Sequence, residues 1–302
     1  MRVFDCHTHF FSYDFFAALA RAGDRSVKTH EALVAFSAAT GIRIPTRDSR
    51  AHLKQWLTTF DENDVARAVM CANAPEEAET VAAALDFARE RLLGFCVINP
   101  TVRGVVDRIH RLAGELGYRG VQLSPALDHY HLTDPLLQPV LTAIGDSRMV
   151  ALVHFGIPHS KLRPALGLPE QFDASFANTA ALQVAAGRFP HVNFMVPHFG
   201  FENFHETLML GIQCENVFVD TSGFDAWIHT QPAPLTLAEV FHKTRAVFGF
   251  ERMLFGTDSG VFPPGWRRDI LEKQLQAMED AGFSESERDA VLYENAARLF
   301  ER

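Results

Sequence analysis

Eight short apolar runs, each ending in polar or small residues, alternate with longer amphipathic stretches along the whole chain, and this alternation constrains the fold more than any other feature. The runs are VFDCHTH (3–9), VARAVMCAN (65–73), LLGFCVINP (92–100), YRGVQLSP (118–125), MVALVHFG (149–156), VNFMVPHFG (192–200), VFVDTSG (217–223) and MLFGTDSG (253–260). Between them lie stretches such as EEAETVAAALDFARERL, VVDRIHRLAGELG and LQPVLTAIG, whose apolar residues recur at three and four as on one face of a helix. Strands that alternate with helices build a parallel α/β sheet. Eight such units in 302 residues predict a (β/α)8 TIM barrel, a fold of roughly 250 residues, with one insertion. A doubly wound open sheet is the structural rival, because eight runs alone do not show closure. A single domain is expected over residues 1–302, since no linker, internal repeat or low-complexity tract interrupts the pattern. The surplus length falls at about 10–64, directly after strand 1. There FFSYDFFAALARAG and SRAHLKQWLTTFDENDV predict two helices flanking a looser middle with Arg43, Pro45 and Arg47.

Composition narrows the function classes. A hydrophobic content of 47% with 22% charged residues excludes a disordered or fibrous chain. A net charge of −9 offers no footprint for nucleic acid or an anionic membrane, so a small-molecule partner is expected. Cys6, Cys71, Cys96 and Cys214 form no C-x-x-C pair and three sit in strand-like runs, which reads as buried reduced thiols and a cytoplasmic location. No apolar stretch approaches the ~18 residues of a membrane-spanning helix.

Barrel enzymes carry their chemistry at the carboxyl ends of the strands. Run one ends in His7-Thr8-His9, where strand alternation turns residues i and i+2 to one face and lets two imidazoles reach one cation. The same alternation places Asp5 on that face, where it is expected to orient a ligand. Runs five, six and eight end in His154, His198 and Asp258, each followed within two residues by glycine. His129-Tyr130-His131 repeats the spacing, but in a loop after Ser124-Pro125, where alternation does not hold. His30, His52, His110, His159, His191, His205, His229 and His242 fall in helices or loops and need no special role.

The opening DCHTH, LLGFCVINP, YRGVQLSP with the following TDPLLQPV, the VHFG and PHFG turns, LFGTDSG and the closing ENAARLF occur in an order that resembles the amidohydrolase superfamily. The likeness is to the amidohydrolase-related branch that holds aminocarboxymuconate-semialdehyde decarboxylase, the resorcylate-type decarboxylases and several hydrolases. It implies that His7, His9, His154 and Asp258 are metal ligands and that His198, with Asp258, is catalytic, His198 handling protons near a metal-held water. Binuclear members of the superfamily carry a carboxylated lysine at the end of strand four. YRGVQLSP has none, and Lys28, Lys54, Lys161, Lys243 and Lys273 lie at no predicted strand end, so one divalent metal per chain, zinc, is expected. The resemblance also implies a homodimer.

Such a site serves two reactions. The leading expectation is a mononuclear metal-dependent hydrolase acting on an amide, lactone or ester of a small carboxylated or cyclic substrate. The alternative is non-oxidative decarboxylation of an aromatic or muconate-type acid, and a non-catalytic barrel stands third. Carboxylate anchors would come from Arg43, Arg47, Arg50 or Arg163, because guanidinium pairs bidentately with carboxylate. Trp227 and Trp266 follow strands seven and eight and are candidates for an aromatic wall. Phe10, Phe11, Phe15 and Phe16 read as core and helix packing.

Overall fold

The computed structural model describes residues 1–23, 28–156, 162–169, 171–223 and 225–301, so His159 and Lys161 lie outside the described residues. Strands β1 (Val3–His9), β2 (Val65–Ala72), β3 (Leu92–Val97), β4 (Gly120–Leu123), β5 (Val150–Val153), β6 (Phe194–Val196), β7 (Val217–Asp220) and β8 (Met253–Leu254) each fall within one of the eight apolar runs. They form one sheet in chain order, and every neighbouring pair is parallel. The first and last strands close it. Cys6 N donates to Phe255 O at 2.8 Å, His9 N to Ser259 O at 2.7 Å and Asp258 N to His7 O at 2.9 Å, and Thr8 bridges Ser259 in parallel register. These bonds rule out the open sheet, and they bring the HTH and TDS segments side by side.

Inside the barrel Phe4, Cys6, Val69, Cys71, Phe95, Leu152, Met195 and Leu254 pack with Ala296, Leu299 and Phe300 of the final helix. Phe300 lies 5.7 Å from Phe4 and 5.8 Å from Phe95 between ring centroids, so the C-terminal helix plugs the N-terminal end of the barrel. The opposite residues of the strands, among them Ala68, Met70, Val121, Leu123, Ala151, Val153, Phe194 and Val196, pack beneath the helices in the larger apolar cluster. Apolar filling therefore leaves the carboxyl ends of the strands for polar groups.

Between β1 and β2 run α1 (Tyr13–Ala22), α2 (Thr29–Thr40) and α3 (Ser49–Glu62). The later helices are α4 (Ala78–Leu85), α5 (Val105–Gly114), α6 (Pro125–Asp128), α7 (Leu137–Asp146), α8 (Leu162–Ala165), α9 (Ala180–Arg188), α10 (Phe204–Gln213) and α11 (Leu237–Phe248). After β8 come α12 (Arg268–Asp280), α13 (Glu285–Asp289) and α14 (Asn295–Phe300). Among the described residues the insertion holds three helices where two were expected. Helix α2 buries only Leu33 and Phe36, a stripe too narrow to stand out as an amphipathic pattern. Helix α3 buries Leu53, Trp56 and Phe60 in the main core and serves as the crossover, so α1 and α2 are the true addition. Their Phe15, Phe16, Leu33 and Phe36 form a separate cluster with Leu166 and Leu168, tying the insertion to the segment after β5. Among the described residues no helix is long and apolar enough to cross a membrane.

Candidate metal centre

The end of β1 is irregular. Its register with β2 shifts between Asp5 and Thr8, so strict alternation does not hold across the HTH segment. Asp5 accordingly does not share the role expected of it. Its carboxylate accepts from Thr257 Oγ1 at 2.5 Å, Trp266 Nε1 at 2.7 Å and His7 N at 3.0 Å, and touches no imidazole. It ties β1 to the segment after β8, and burial lifts its pKa to about 6.

His7, His9, His154 and His198 nevertheless meet at the mouth. Ring centroids are 5.2 Å apart for His7 and His9, 4.8 Å for His7 and His198, and 5.2 Å for His154 and His198. Each ring is held through Nδ1 by an oxygen acceptor: Asp220 Oδ2 at 2.9 Å for His7, Asn73 Oδ1 at 2.6 Å for His9, Gly156 O at 3.2 Å for His154 and Ser222 O at 3.1 Å for His198. Asn73 is oriented in turn, since its Nδ2 donates to Cys71 O at 2.8 Å. An acceptor at Nδ1 fixes a proton there and leaves Nε2 as the nitrogen that would face a metal. Asp258 Oδ1 then lies 2.8 Å from His9 Nε2 and 3.7 Å from His7 Nε2. The ligand atoms of His7, His198 and Asp258 come within 4.8 Å of one another. His9 joins them through Asp258, and His154 through His198.

Asp220 and Asn73 escaped the sequence reading, although both stand at strand ends, in runs seven and two. Asp220 is fully buried and accepts from His7 Nδ1, from His198 N at 3.0 Å and from Ser222 N at 2.9 Å and Oγ. It links the His7 imidazole to the backbone of His198 through one carboxylate.

Charge follows this geometry. Burial opposes protonation of His7, but Asp220, with Asp258 and Asp5, outweighs it and lifts the imidazole to about 9. Burial likewise opposes ionisation of Asp220, yet His7 beside it holds the carboxylate down at about 2. His198 is lowered to about 4 by burial and by its neighbour His7. His154 falls to about 3 through burial and the adjacent His198 and His7. Asp258 stays far below the ordinary carboxylate range, because hydrogen bonding to His9 and the surrounding imidazoles overcome its burial.

The donor set fits a divalent cation. Imidazole nitrogens and a carboxylate oxygen that converge on one another are stabilised only by a proton or a metal ion between them, and this N/O mixture suits zinc or manganese. At the corresponding end of β4 stands Gln122, an amide hydrogen-bonded by Cys71 Sγ at 3.4 Å, rather than a lysine.

Backbone strain concentrates here. His198, Phe199, Gly200 and Phe201 all have positive φ, and Phe201 (φ 52°, ψ −131°) occupies a conformation normally left to glycine. Its ring centroid sits 4.0 Å from that of His198 and 5.5 Å from that of His154. The ring lies so close on Gly156 that a Cβ there would come within 2.1 Å of it. Phe11, also at positive φ (41°), stacks on His9 at 4.9 Å with 13° between planes, so it supports the site rather than only the core.

The candidate anchors lie as follows. Arg47 donates to Tyr13 Oη at 3.0 Å and covers that ring, and Arg50 covers Phe87 at 3.9 Å on the exposed surface. Arg43 is exposed, with its backbone N–H on Phe262 O, and Arg163 donates to Pro169 O. Trp227 is buried against Phe204 and Phe199, and Trp266 is buried with its N–H on Asp5.

The fold and this cluster define a class, the (β/α)8-barrel enzymes whose strand ends converge on a histidine and aspartate metal site. The chain belongs to the amidohydrolase family, whose profile, described as Amidohydrolase, matches residues 4–302. Similar solved structures include 5-carboxyvanillate decarboxylase from Novosphingobium aromaticivorans, complexed with manganese (16% identity, 99% of this chain and 96% of that one, TM-score 0.64). A probable 2-pyrone-4,6-dicarboxylic acid hydrolase from Acinetobacter baumannii is 16% identical over 100% of both chains, with a TM-score of 0.63. 4-Oxalomesaconate hydratase from Rhodopseudomonas palustris is 16% identical over 99% of this chain and 95% of that one, with a TM-score of 0.65. A sequence comparison with functionally curated proteins gives no match. At these identities the likeness carries the fold, and the three relatives perform three different reactions.

Proposed function

We propose that this chain is a mononuclear, divalent-metal-dependent hydrolase that cleaves an amide, lactone or ester bond in a small carboxylated or cyclic substrate. The observation that carries this reading is the shared orientation of the four imidazoles, each with Nδ1 on an oxygen acceptor, so that Nε2 is the nitrogen a metal or a transferred proton would meet. His7, His9, His154 and Asp258 would hold the metal, which we take to be zinc. A divalent cation so held supplies Lewis acidity toward a substrate oxygen and acidifies water to near neutrality. His198 rests neutral at pH 7, keeps its Nδ1 proton on Ser222 O, and can take a proton at Nε2 and return it to a leaving group. Asp258, about a quarter exposed and ionised, presents an acceptor on the open side of the cluster. Asp220 and Asn73 keep the rings of His7 and His9 from turning.

The same residues support a second reading, non-oxidative decarboxylation, favoured by the likeness to the manganese-containing 5-carboxyvanillate decarboxylase. There His198 Nε2 would deliver the proton to the carbon that loses CO2. Metal-loaded protein assayed against lactones and amides, and in parallel against hydroxybenzoates with CO2 detection, decides between them. Ring opening or amide cleavage without CO2 is the expected result. CO2 release from hydroxybenzoates alone would replace hydrolysis with decarboxylation, and no turnover in either panel would leave a non-catalytic barrel.

A further inference from the structure

Three successive turns at the opposite, N-terminal end of the barrel carry side chains that the chemistry of the mouth does not use. Arg119 precedes β4, Arg148 precedes β5 and His191 precedes β6, and with Asn193, Leu299 and Phe300 they line a cavity of about 280 Å³. Among the described residues no Asp or Glu lines it. Among the described residues neither guanidinium has a carboxylate or hydrogen-bond partner, whereas Arg67 and Arg91 at the same end of the barrel pair with Glu301 at 2.5 Å and Asp61 at 2.6 Å. In a chain of net charge −9 this bowl is a local reversal of sign.

Arg119, Arg148 and His191 are exposed, and the backbone beneath two of them is constrained. Arg148 stands just past the end of α7 at φ 52°, with its N–H on Gly145 O at 2.9 Å and the next N–H, of Met149, on Ile144 O at 3.0 Å. This left-handed helix-ending position is the one that favours glycine, and an arginine there is strained. His191 lies on Gly145 itself, where a Cβ would come within 2.4 Å of the imidazole. The chain thus carries a cation where glycine is easiest and a glycine where the imidazole needs room.

We propose that this bowl binds a small dianionic oxyanion, a phosphate or a dicarboxylate. Two guanidiniums supply paired N–H donors of the geometry that oxyanions accept, and the imidazole and the Asn193 amide add further polar groups. The floor of the site is Leu299 and Phe300, the residues that plug the barrel, so the ligand ties the turns before β4, β5 and β6 to the plug.

The test is calorimetric titration of the full chain with inorganic phosphate and, separately, with succinate, at matched ionic strength. The same titrations are run on Arg119→Gln, Arg148→Gly and the double variant. Arg148→Gly places glycine at the left-handed position, and its unliganded melting temperature should equal or exceed that of the wild type, which shows that it folds. The expected result is one anion per chain at sub-millimolar affinity, about tenfold weaker in each single variant and absent in the double. A ligand-dependent rise in melting temperature should appear in the wild type and vanish in the double variant. Tighter binding of phosphate assigns the site to phosphate groups, and tighter binding of succinate assigns it to carboxylates. No binding of either anion at millimolar concentration, or equal affinity in the double variant, overturns the proposal.

Discussion

His7 Nδ1 lies 2.9 Å from Asp220 Oδ2 with both side chains buried, and under the proposed function this pair would govern how a cation enters the site. With His7 lifted to about 9, its imidazole holds a proton at neutral pH that an incoming metal must displace. Metal affinity should therefore climb as pH rises from ~7 to ~9 and level off above the His7 value. Asp220→Asn removes the charge that raises His7, so the climb flattens. At pH ~9, where the proton no longer competes, the variant should bind metal roughly 10–100-fold more weakly because the ring has lost its anchor. Chelator-competition titrations across this range measure both effects.

Glu77 should make stability fall with rising pH. It is fully buried and accepts from Ser12 N, at the start of α1, and from Asn73 N at 2.6 Å, joining the insertion to the residue that holds His9. Burial raises its pKa from 4.5 to about 7, so the folded state favours the protonated form. The resulting stability is fully present below the unfolded value of 4.5 and is lost as pH rises through about 7, a change of at most ~3 kcal/mol. Urea unfolding at pH ~5 and ~8 should show this loss in the wild type and much less of it in Glu77→Gln.

Phe201 should reverse the usual ranking of alanine and glycine. Both Phe201→Ala and Phe201→Gly remove the ring from His198, and only glycine relieves a backbone at φ 52°, ψ −131°. The glycine variant should be the more stable of the two by about 1 kcal/mol, where ordinary sites favour alanine. Both variants should turn over more slowly than the wild type, because His198 has lost the ring against which it is set. Thermal unfolding and kcat, measured on the same samples, check the two statements.

His198→Asn should abolish turnover, with a loss on the order of 10²–10⁴-fold, while metal stays bound. Metal content and rate measured together separate the roles: loss of metal would make His198 a ligand instead of a proton carrier.

Much of this site is legible in the sequence because a barrel turns strand ends into one rim. His7, His9, His154, His198 and Asp258 each close an apolar run, and the fold brings all five together. Asp220 and Asn73 close runs in the same way, but their role lies in the atoms they touch on β1, and those contacts across the barrel leave no local pattern. Asp5 shows the limit of alternation, since the register shift within β1 redirects its carboxylate to Thr257 and Trp266. Helix α2 is hidden for a different reason, as it buries two side chains where an amphipathic helix would bury a stripe.

The central claim is that these strand ends hold one divalent metal, and elemental analysis by plasma mass spectrometry of gently purified protein tests it most directly. The account predicts close to one equivalent per chain in the wild type and none in a His7→Ala, His9→Ala double variant. A wild-type protein that carries no divalent metal, and takes up none on incubation, would contradict it.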